Sequence, residues 1–472
     1  MQHLKSPWMN QLDRTRPLYA LQTDMETDVC IVGGGIAGIM TAYQILKNTK
    51  SRVTILEAFQ IANGATGHNA GQLVDEMERS TVSMVQEYGL PITVEALRSI
   101  KTGWLLLEEI MHDAELTVPY STFEGYDILA TKDQIHARLA DISLAEEGGL
   151  SSKIMYISKE HVEGLEIPDQ YARFYELISH DSILALSQTK NPDYLAAIPL
   201  RKGCLNSAVL TEQLTTYLQN TYGIARFQVF EKTPVSEIVL NKENAVITTS
   251  LEKTVNAKTI ILCTNGFENF KIREHDESIN YDFHKNVKGE VGYMLGITEE
   301  INSSPSALSY YDPSYDTHLA QLLDLKVDIE RDVAYGPQYV YTTRRPYDLG
   351  HEEPKNLFCI GGKGIVIEDS SQYGRDHVYH PDIKAEYERF IEHNFESRDD
   401  EPNHKEFMWH GLMGYTANGL RMVGFEKRNP VLMYNLGCNG IGILPSIWGG
   451  KRIADLLNGD RTVSLFDPGF GV

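Results

Sequence analysis

The segment Asp28-Val-Cys-Ile-Val-Gly-Gly-Gly-Ile-Ala-Gly-Ile-Met constrains the fold more than any other part of this chain. A short apolar run leads straight into Gly33-x-Gly35-x-x-Gly38 and then into helix-forming sequence. That is the order a dinucleotide-binding βαβ unit requires. Gly33 lets the chain turn sharply out of the strand. Gly35 has no Cβ, so the backbone can approach a pyrophosphate, and Gly38 lets the new helix lie close to the strand. Ile36 and Ala37 fall in the first turn of that helix. There, unpaired N–H groups and a partial positive charge face the phosphates.

The context of the fingerprint carries more weight than the glycines alone. Val53-Thr-Ile-Leu-Glu57 reads as the second strand, apolar and β-branched, ending in an acid that is followed by Ala58. Glu57 lies 24 positions after Gly33, near the distance of about 20 expected for the residue that binds the ribose hydroxyls. A carboxylate there accepts from a 2′-OH and repels a 2′-phosphate, which argues against NADP. Asn63-Gly-Ala-Thr-Gly-His-Asn-Ala-Gly-Gln72 is a second small-residue loop, suited to running backbone along an extended ligand. Thr259-Ile-Ile-Leu-Cys-Thr264-Asn265-Gly266 is a buried-strand pattern ending in a small turn. Gly437-Cys-Asn-Gly440-Ile441-Gly442 leads into a C-terminal helix.

Together these four segments resemble the FAD-dependent family of the D-amino-acid oxidase and sarcosine oxidase type. The likeness is strongest to γ-glutamylputrescine oxidase-like members, whose second loop reads Gly-Ala-Ser-Gly-Arg-Asn-Gly-Gly-Gln where this chain has Gly64-Ala-Thr-Gly-His-Asn-Ala-Gly-Gln72. The arm with Trp8, the Thr27-Asp-Val-Cys start and the ending Gly414-Tyr-Thr-Ala-Asn-Gly-Leu-Arg-Met-Val-Gly424 are also similar to that branch. The resemblance implies FAD rather than NAD. It implies an α/β fold, with a Rossmann-type FAD-binding domain of the D-amino-acid oxidase/glutathione reductase-like kind and an α+β substrate domain built on an antiparallel sheet. It assigns FAD contacts to Gly33, Gly35, Ile36, Ala37, Gly38, Glu57 and Ala58 in the first unit. Gly64, Ala65, Thr66, Asn69, Gly71 and Gln72 follow in the loop, then Val235, Thr264, Asn265 and Gly266, and finally Gly411, Gly440, Ile441 and Gly442.

The expected organisation is intertwined, because 472 residues exceed one ordinary domain. Residues 1–26 read as an arm laid over the surface. The FAD-binding domain takes 27–88, 195–275 and 403–472, the last with a C-terminal tail. The substrate domain takes 89–194 and 276–402. Helices are expected from Ile92 to Glu115, Lys132 to Glu147 and Leu210 to Tyr222, and strands at Tyr126–Ala130, Arg226–Phe230, Val235–Leu240, Ala245–Thr249, Tyr339–Arg345 and Leu357–Ile360.

Composition removes several classes of partner. Acidic residues outnumber basic ones 65 to 43, for a net charge of −22, so no nucleic-acid partner is expected. No apolar run is long enough for a transmembrane segment, and no signal-peptide pattern opens the chain. The five cysteines are widely spaced with no Cys-x-x-Cys, which indicates neither a metal site nor a disulfide framework. Cys30, Cys263 and Cys359 read as buried core thiols. These features fit a reducing cytoplasm; nothing in them fixes an oligomeric state.

By the resemblance, the Gly437–Gly442 loop opens a helix whose N–H groups stabilise charge on the reduced flavin. Some sarcosine-type relatives hold the flavin on a cysteine before the Tyr-Thr motif. Here Gly411 or a neighbour takes that position, so non-covalent FAD is expected. His68 stands where close relatives often have Arg, either as a flavin or substrate contact or as a loop histidine bonded to backbone. Gln72 closes the same loop. Sarcosine-type relatives also carry a carboxylate-binding lysine where this chain has Gly442 or Ile443. Arg344, with Arg345 second, is the expected replacement. Strand alternation puts Tyr339, Tyr341, Thr343 and Arg345 on one face. Tyr341, with Tyr293 and Tyr339, is a candidate wall for a substrate amine.

The expected activity is oxidation of the C–N bond of an amine or amino acid to an imine, with O2 accepting the electrons. One alternative is a dehydrogenase passing electrons to a quinone or other acceptor. Another, favoured by the missing lysine and by Asn418 in place of a frequent acid, is a flavin-bearing protein without turnover. With no cysteine at the attachment position, the purified protein should be yellow, and acid precipitation should release intact FAD into the supernatant. Flavin remaining on the denatured polypeptide would contradict it.

Overall fold

The computed structural model describes residues 6–151, 153–275, 277–280, 287–301, 304–313, 339–348, 353–362, 364–367, 369–374, 376–396 and 404–470. The strand Met25–Val32 buries its last four residues and turns at Gly33, whose φ of 109° lies where L side chains are strained. The helix Ile36–Asn48 follows, buried from Ile36 to Leu46. Val53–Leu56 then returns parallel to the first strand, with Val29 opposite Val53. Alternation along the first strand sends Val29 and Ile31 into one core and Cys30 and Val32 into another. Both faces of the strand's last four residues are therefore covered, and Val29–Val32 is continuously apolar.

Five parallel strands form the centre of this sheet in the order Phe227–Phe230, Val53–Leu56, Met25–Val32, Thr254–Leu262, Leu432–Leu436. Thr254–Leu262 divides its far edge. Ala245–Thr249 runs antiparallel along the first half, and Leu432–Leu436 runs parallel along the second. Val235–Leu240, Lys271–Glu274, Glu277–Asn280 and Met422–Phe425 complete ten strands among the described residues. The helices Ile36–Asn48, Leu90–Asp113 and Ile443–Leu457 share one core with Val29 and Ile31. Two glycines allow their close crossing. A Cβ on Gly450 would lie 2.9 Å from the Met40 carbonyl carbon, and one on Gly103 would lie 2.9 Å from Leu444 Cβ.

The second sheet has eleven strands among the described residues. Its long pairings are antiparallel: Tyr120–Leu129 with Ala196–Leu205, and Val287–Glu299 with Glu406–Thr416. Val340–Tyr347 runs between Ser306–Tyr311 and Lys355–Gly361. Ser306–Tyr311 nevertheless runs parallel to Tyr120–Leu129, and Met155–Ser158 parallel to Tyr175–Ile178. The sheet is thus mixed where an antiparallel one is expected. The members of these two parallel pairs are joined by long crossovers rather than by a hairpin, so no tight turn imposes an antiparallel direction on them. Ala196–Leu205 belongs to this sheet although it falls within 195–275, because its ten-residue register with Tyr120–Leu129 claims it.

The N-terminal arm is anchored near its start, where Ser6, Pro7 and Trp8 are buried, and most of its remaining described residues are half-buried or exposed. Trp8 is 1 % exposed, and its indole N–H donates to the Asn69 carbonyl at 2.6 Å. Arg16 forms ion pairs with Glu212 at 3.0 Å and Glu231 at 2.7 Å, all three side chains nearly buried. Overpacking a helix crossing typically costs about 1–3 kcal/mol. Gly450→Val is therefore expected to lower Tm by several degrees, measured by calorimetry on the flavin-loaded protein. An unchanged Tm would show that the Ile36–Asn48 and Ile443–Leu457 helices can separate without penalty.

Candidate functional site

A cavity of about 760 Å³ lies between the carboxyl ends of the parallel strands and the face of the second sheet. Val32, Leu56 and Cys263, at three adjacent strand ends, mark its floor. This is the crevice where open α/β sheets bind ligands. Gly33, Gly35, Ile36 and Ala37 form the wall at one helix N-terminus, and Gly440, Ile441 and Gly442 the wall at another. The second helix, Ile443–Leu457, begins at Gly442 with no side-chain cap. At the first, Ile36 N–H donates to Thr66 Oγ1 at 2.9 Å. A Cβ on Gly35 would come within 3.0 Å of that same hydroxyl. Glu57 turns its carboxylate toward the fingerprint and accepts from Gly34 N–H at 2.7 Å.

Most residues assigned to FAD from the sequence meet at this cavity: Glu57, Ala58, Gly64, Ala65, Thr66, Asn69, Gly71, Gln72, Val235, Thr264, Asn265 and Gly411, besides the two glycine walls. Gly38 and Gly266 do not. A Cβ on Gly38 would collide with the Gly33 carbonyl, and one on Gly266 would lie 2.5 Å from Val287 Cγ1, so both serve close packing behind the wall. Asn69 braces the second loop. Its amide donates to Thr66 O at 3.0 Å and Ser207 Oγ at 2.8 Å, and its Oδ1 accepts from Gly71 N–H at 2.7 Å. Asn265 Oδ1 accepts from Cys438 N–H at 2.8 Å, tying the turn after the central strand to the C-terminal glycine loop. The donor set, the glycine cradle and the two helix N-termini fit a dinucleotide.

The catalytic candidates divide. His68 lines the cavity and is 8 % exposed, with Nδ1 3.1 Å from Gly64 O. Gln72 also lines it, and so does Tyr341, whose hydroxyl donates to Met294 Sδ at 3.2 Å. Burial pushes the Tyr341 phenol pKa up, so it stays neutral. Arg344 is not part of the wall. Its guanidinium bonds Glu299 and, at 2.9 Å, Gln188. The alternation of Val340–Tyr347 explains this: Tyr341 and Arg345 share the inward face, and Arg344 leaves on the other. Arg345 is buried over the Trp8 ring, 3.4 Å from its centroid, and donates to Gly71 O. It buttresses the loop from behind. Tyr293 likewise faces away, with its hydroxyl 3.0 Å from His377 Nε2.

The wall contributed by the second sheet was missed in the sequence. Glu76, Glu78, Asp127, Arg138, Lys153, Lys202 and Tyr311 all line the cavity beside Tyr339 and Tyr341. Lys202, 1 % exposed, donates to Asp127 Oδ1 at 2.9 Å, Ser309 Oγ at 2.8 Å and Tyr126 O at 3.2 Å, which satisfies its three N–H groups. Arg138 bonds Asp127, and Lys153 bonds Glu76 at 2.7 Å. Burial alone would raise the Glu76 pKa, but the charges of Lys153 and Arg138 outweigh it and hold the carboxyl below its usual range. Tyr339 donates to Glu78 Oε1 at 2.9 Å. Burial, then the Glu78 charge, raises the Tyr339 phenol pKa. One signal was available: Lys202 sits at the buried alternate position of Ile198-Pro-Leu200-Arg-Lys202, where a charge needs a partner.

This fold and crevice define a dinucleotide-binding flavoprotein architecture. The family model of the FAD dependent oxidoreductases (DAO) matches residues 28–456, and the chain belongs to that family. FAD is the family's cofactor. A γ-glutamylputrescine oxidoreductase of Escherichia coli (strain K12) is 34% identical over 89 residues, 19% of this chain and 21% of that protein. A Bacillus subtilis (strain 168) protein named as a Rieske 2Fe-2S iron-sulfur protein is 41% identical over 71 residues, 15% of this chain and 14% of that protein. The chain thus matches well under a third of the length of either curated relative. Glycine oxidase from Geobacillus kaustophilus has a similar fold, with TM-score 0.64 and 16% identity over 94% of this chain and 98% of that one. L-proline dehydrogenase from P. horikoshii gives TM-score 0.61 and 14% identity, over 94% and 97%. Among the described residues, no helix is long and apolar enough to cross a membrane.

The glycine wall generates two expectations. Gly35→Val should abolish stoichiometric FAD binding, because a branched side chain would meet Thr66 and project into the cradle. Glu57→Ala should weaken it by about 1.5–3 kcal/mol, the usual contribution of a hydrogen bond to a charged group. Equilibrium titration of released FAD fluorescence checks both. Full flavin content in Gly35→Val would move the phosphate site elsewhere.

Proposed function

We propose that this protein oxidises the C–N bond of an amine or amino acid to an imine, with O2 as electron acceptor. The observation that carries the reading is the continuity of the cavity. One space joins the dinucleotide cradle to a tyrosine-lined, charge-bearing wall of the second sheet. Bound FAD supplies the two-electron acceptor. The substrate gives up a hydride from carbon and a proton from nitrogen. Water hydrolyses the resulting imine to a carbonyl and an amine or ammonia, and O2 leaves as hydrogen peroxide. His68, Gln72 and Tyr341 are proposed to contact the reacting end. The neutral phenols of Tyr339 and Tyr341 offer polar edges and aromatic faces to an amine.

The substrate class follows from the wall chemistry. Gly442 leaves no lysine in the C-terminal loop for an α-carboxylate. Glu76, Glu78 and Asp127 put carboxylates on the wall, and the net charge of −22 favours cationic ligands at long range. Amines, or amines whose carboxylate is remote from the reacting carbon, fit better than simple α-amino acids. Arg344 was the expected partner for such a carboxylate, but it does not line the cavity and turns instead to Glu299 and Gln188. Lys153 and Arg138, which line the cavity, take that role in this proposal. A dehydrogenase reading is kept alive by one comparison, since the fold is shared with a protein named as L-proline dehydrogenase.

Three measurements test the proposal. Primary and secondary amines should bleach the flavin anaerobically faster than sarcosine or D-alanine, followed by stopped flow. Aerobic turnover should release peroxide; bleaching without peroxide would select the dehydrogenase. Lys153→Met should raise KM for a carboxylate-bearing amine by about fivefold, allowing for partial solvent screening. The same variant should leave flavin content unchanged, and Arg344→Leu should leave KM unchanged. Faster bleaching by the simple α-amino acids would remove the amine reading.

A further inference from the structure

Among the cations that line the cavity, Arg421 is one that the proposed reaction does not use. It is 6 % exposed. Its guanidinium donates to Asn435 Oδ1 at 2.8 Å and Asn435 O at 3.2 Å, both neutral acceptors. Arg16 and Arg452, also buried, are paired with carboxylates, Arg16 with Glu212 and Glu231 and Arg452 with Asp460 and Asp467, while the buried Arg345, which does not line the cavity, lies over the Trp8 ring. Arg421 has no carboxylate partner among the described residues. Burial pulls the guanidinium pKa down to about 10, and the titratable groups nearest it are the thiols of Cys438 and Cys263. A buried cation without an anion costs several kcal/mol. The fold must therefore either tolerate that cost or meet it with a ligand.

The position of Arg421 indicates the ligand. Asn435, which holds it, also donates to Thr41 Oγ1 in the fingerprint helix at 3.0 Å and to Ser446 O in the C-terminal helix at 3.1 Å. Arg421 is thus fixed between the two helices whose N-termini open into the cavity. Cys263, beside it, also closes the fingerprint turn, since its carbonyl lies 2.6 Å from where a Gly33 Cβ would be. Two helix N-termini and one uncompensated guanidinium converge on the same end of the cavity. Each favours an anion with oxygen acceptors. Two carboxylates stand near these walls, Glu57 held by Gly34 N–H at 2.7 Å and Glu78 beside Gly440, but no ion pair joins either to Arg421 among the described residues.

We infer that Arg421 is a binding residue for the diphosphate of the dinucleotide, supplying the formal positive charge that the glycine fingerprint itself lacks. The inference rests on the FAD-binding family assignment and is independent of the reaction proposed above. Arg421 is then paired only when the cofactor is in place, so the flavin contributes to fold stability as well as chemistry. Its neutral neighbours keep the cation undivided for the ligand.

The test compares ligands that differ only in the diphosphate. ADP and adenosine are titrated as displacers of FAD, read by flavin fluorescence, on the wild type, Arg421→Met and Arg421→Lys. Loss of one charged contact corresponds to about tenfold or more in affinity. The wild type should prefer ADP over adenosine, and Arg421→Met should lose at least about tenfold of that preference with adenosine affinity unchanged. Arg421→Lys should keep part of it. Inorganic pyrophosphate should raise the Tm of flavin-depleted wild type and leave that of Arg421→Met unmoved. If Arg421→Met does not fold, the Arg421→Lys ratio and the wild-type pyrophosphate shift still decide. An unchanged ADP-to-adenosine ratio in the variants, or no pyrophosphate stabilisation of the wild type, would overturn the inference. So would a variant whose only defect is a shifted flavin reduction potential, since that would place the guanidinium at the ring. Substrate turnover enters none of these readouts, so failure of the amine proposal leaves the result interpretable.

Discussion

Backbone meets backbone at the carboxyl ends of the parallel strands, and the rest of the molecule is arranged around that contact. Gly33 turns beneath the Cys263 carbonyl, with only 2.6 Å available to a Cβ, and Gly38 crosses directly over the Gly33 carbonyl. No side chain can be accommodated at either point. The space saved lets the helix Ile36–Asn48 start at the strand end with its N–H groups facing the cavity. The C-terminal helix Ile443–Leu457 then rests on that helix through Gly450, bringing a second N-terminus to the same crevice. A partial positive charge at each N-terminus makes the crevice suited to an anionic, extended ligand before any side chain is considered.

The loop from Asn63 to Gln72 carries the next level of organisation. It forms part of the cradle, yet it has almost no regular structure of its own: one short 3₁₀ turn, Ala65–Gly67, and the two-residue strand Gln72–Leu73. Its shape is imposed by residues far away in sequence. Trp8 and Trp409 both donate to the Asn69 carbonyl, at 2.6 and 3.3 Å, while Ser207 and Arg345 bond the same loop. The anchoring of the N-terminal arm at Trp8 thus has a physical purpose. Without Trp8 the loop would lose an indole donor and the stacked surface that carries the buried Arg345 guanidinium.

The two walls of the cavity use different physics. The nucleotide wall relies on backbone N–H groups, helix termini and small residues, with few charges. The wall of the second sheet relies on buried and half-buried ion pairs, in which Asp127 joins Lys202 and Arg138, and Glu76 joins Lys153 and Arg138. Such networks fix side-chain positions, because breaking one partner strands the other in low dielectric. They also display both signs of charge to a bound molecule, which suits discrimination between substrates more than affinity.

The sequence by itself determined the nucleotide half of this protein. Fingerprint, second-strand acid, second small-residue loop and C-terminal glycine loop are local signals. They can be read because phosphate and backbone contacts demand particular residues at short, fixed spacing. Helices such as Lys132–Glu147 were equally legible, since Thr131 and Gln134 form a capping box that marks the start. Only the tertiary structure decided the facing wall. Glu78, Lys153 and Lys202 come from separate stretches and meet through pairings no local pattern encodes. The direction of each strand set which arginine of Arg344 and Arg345 turned inward, and neither came to line the cavity. A mixed sheet assembled from distant segments fixes its register by long-range packing, and that information is not carried by any one stretch of chain.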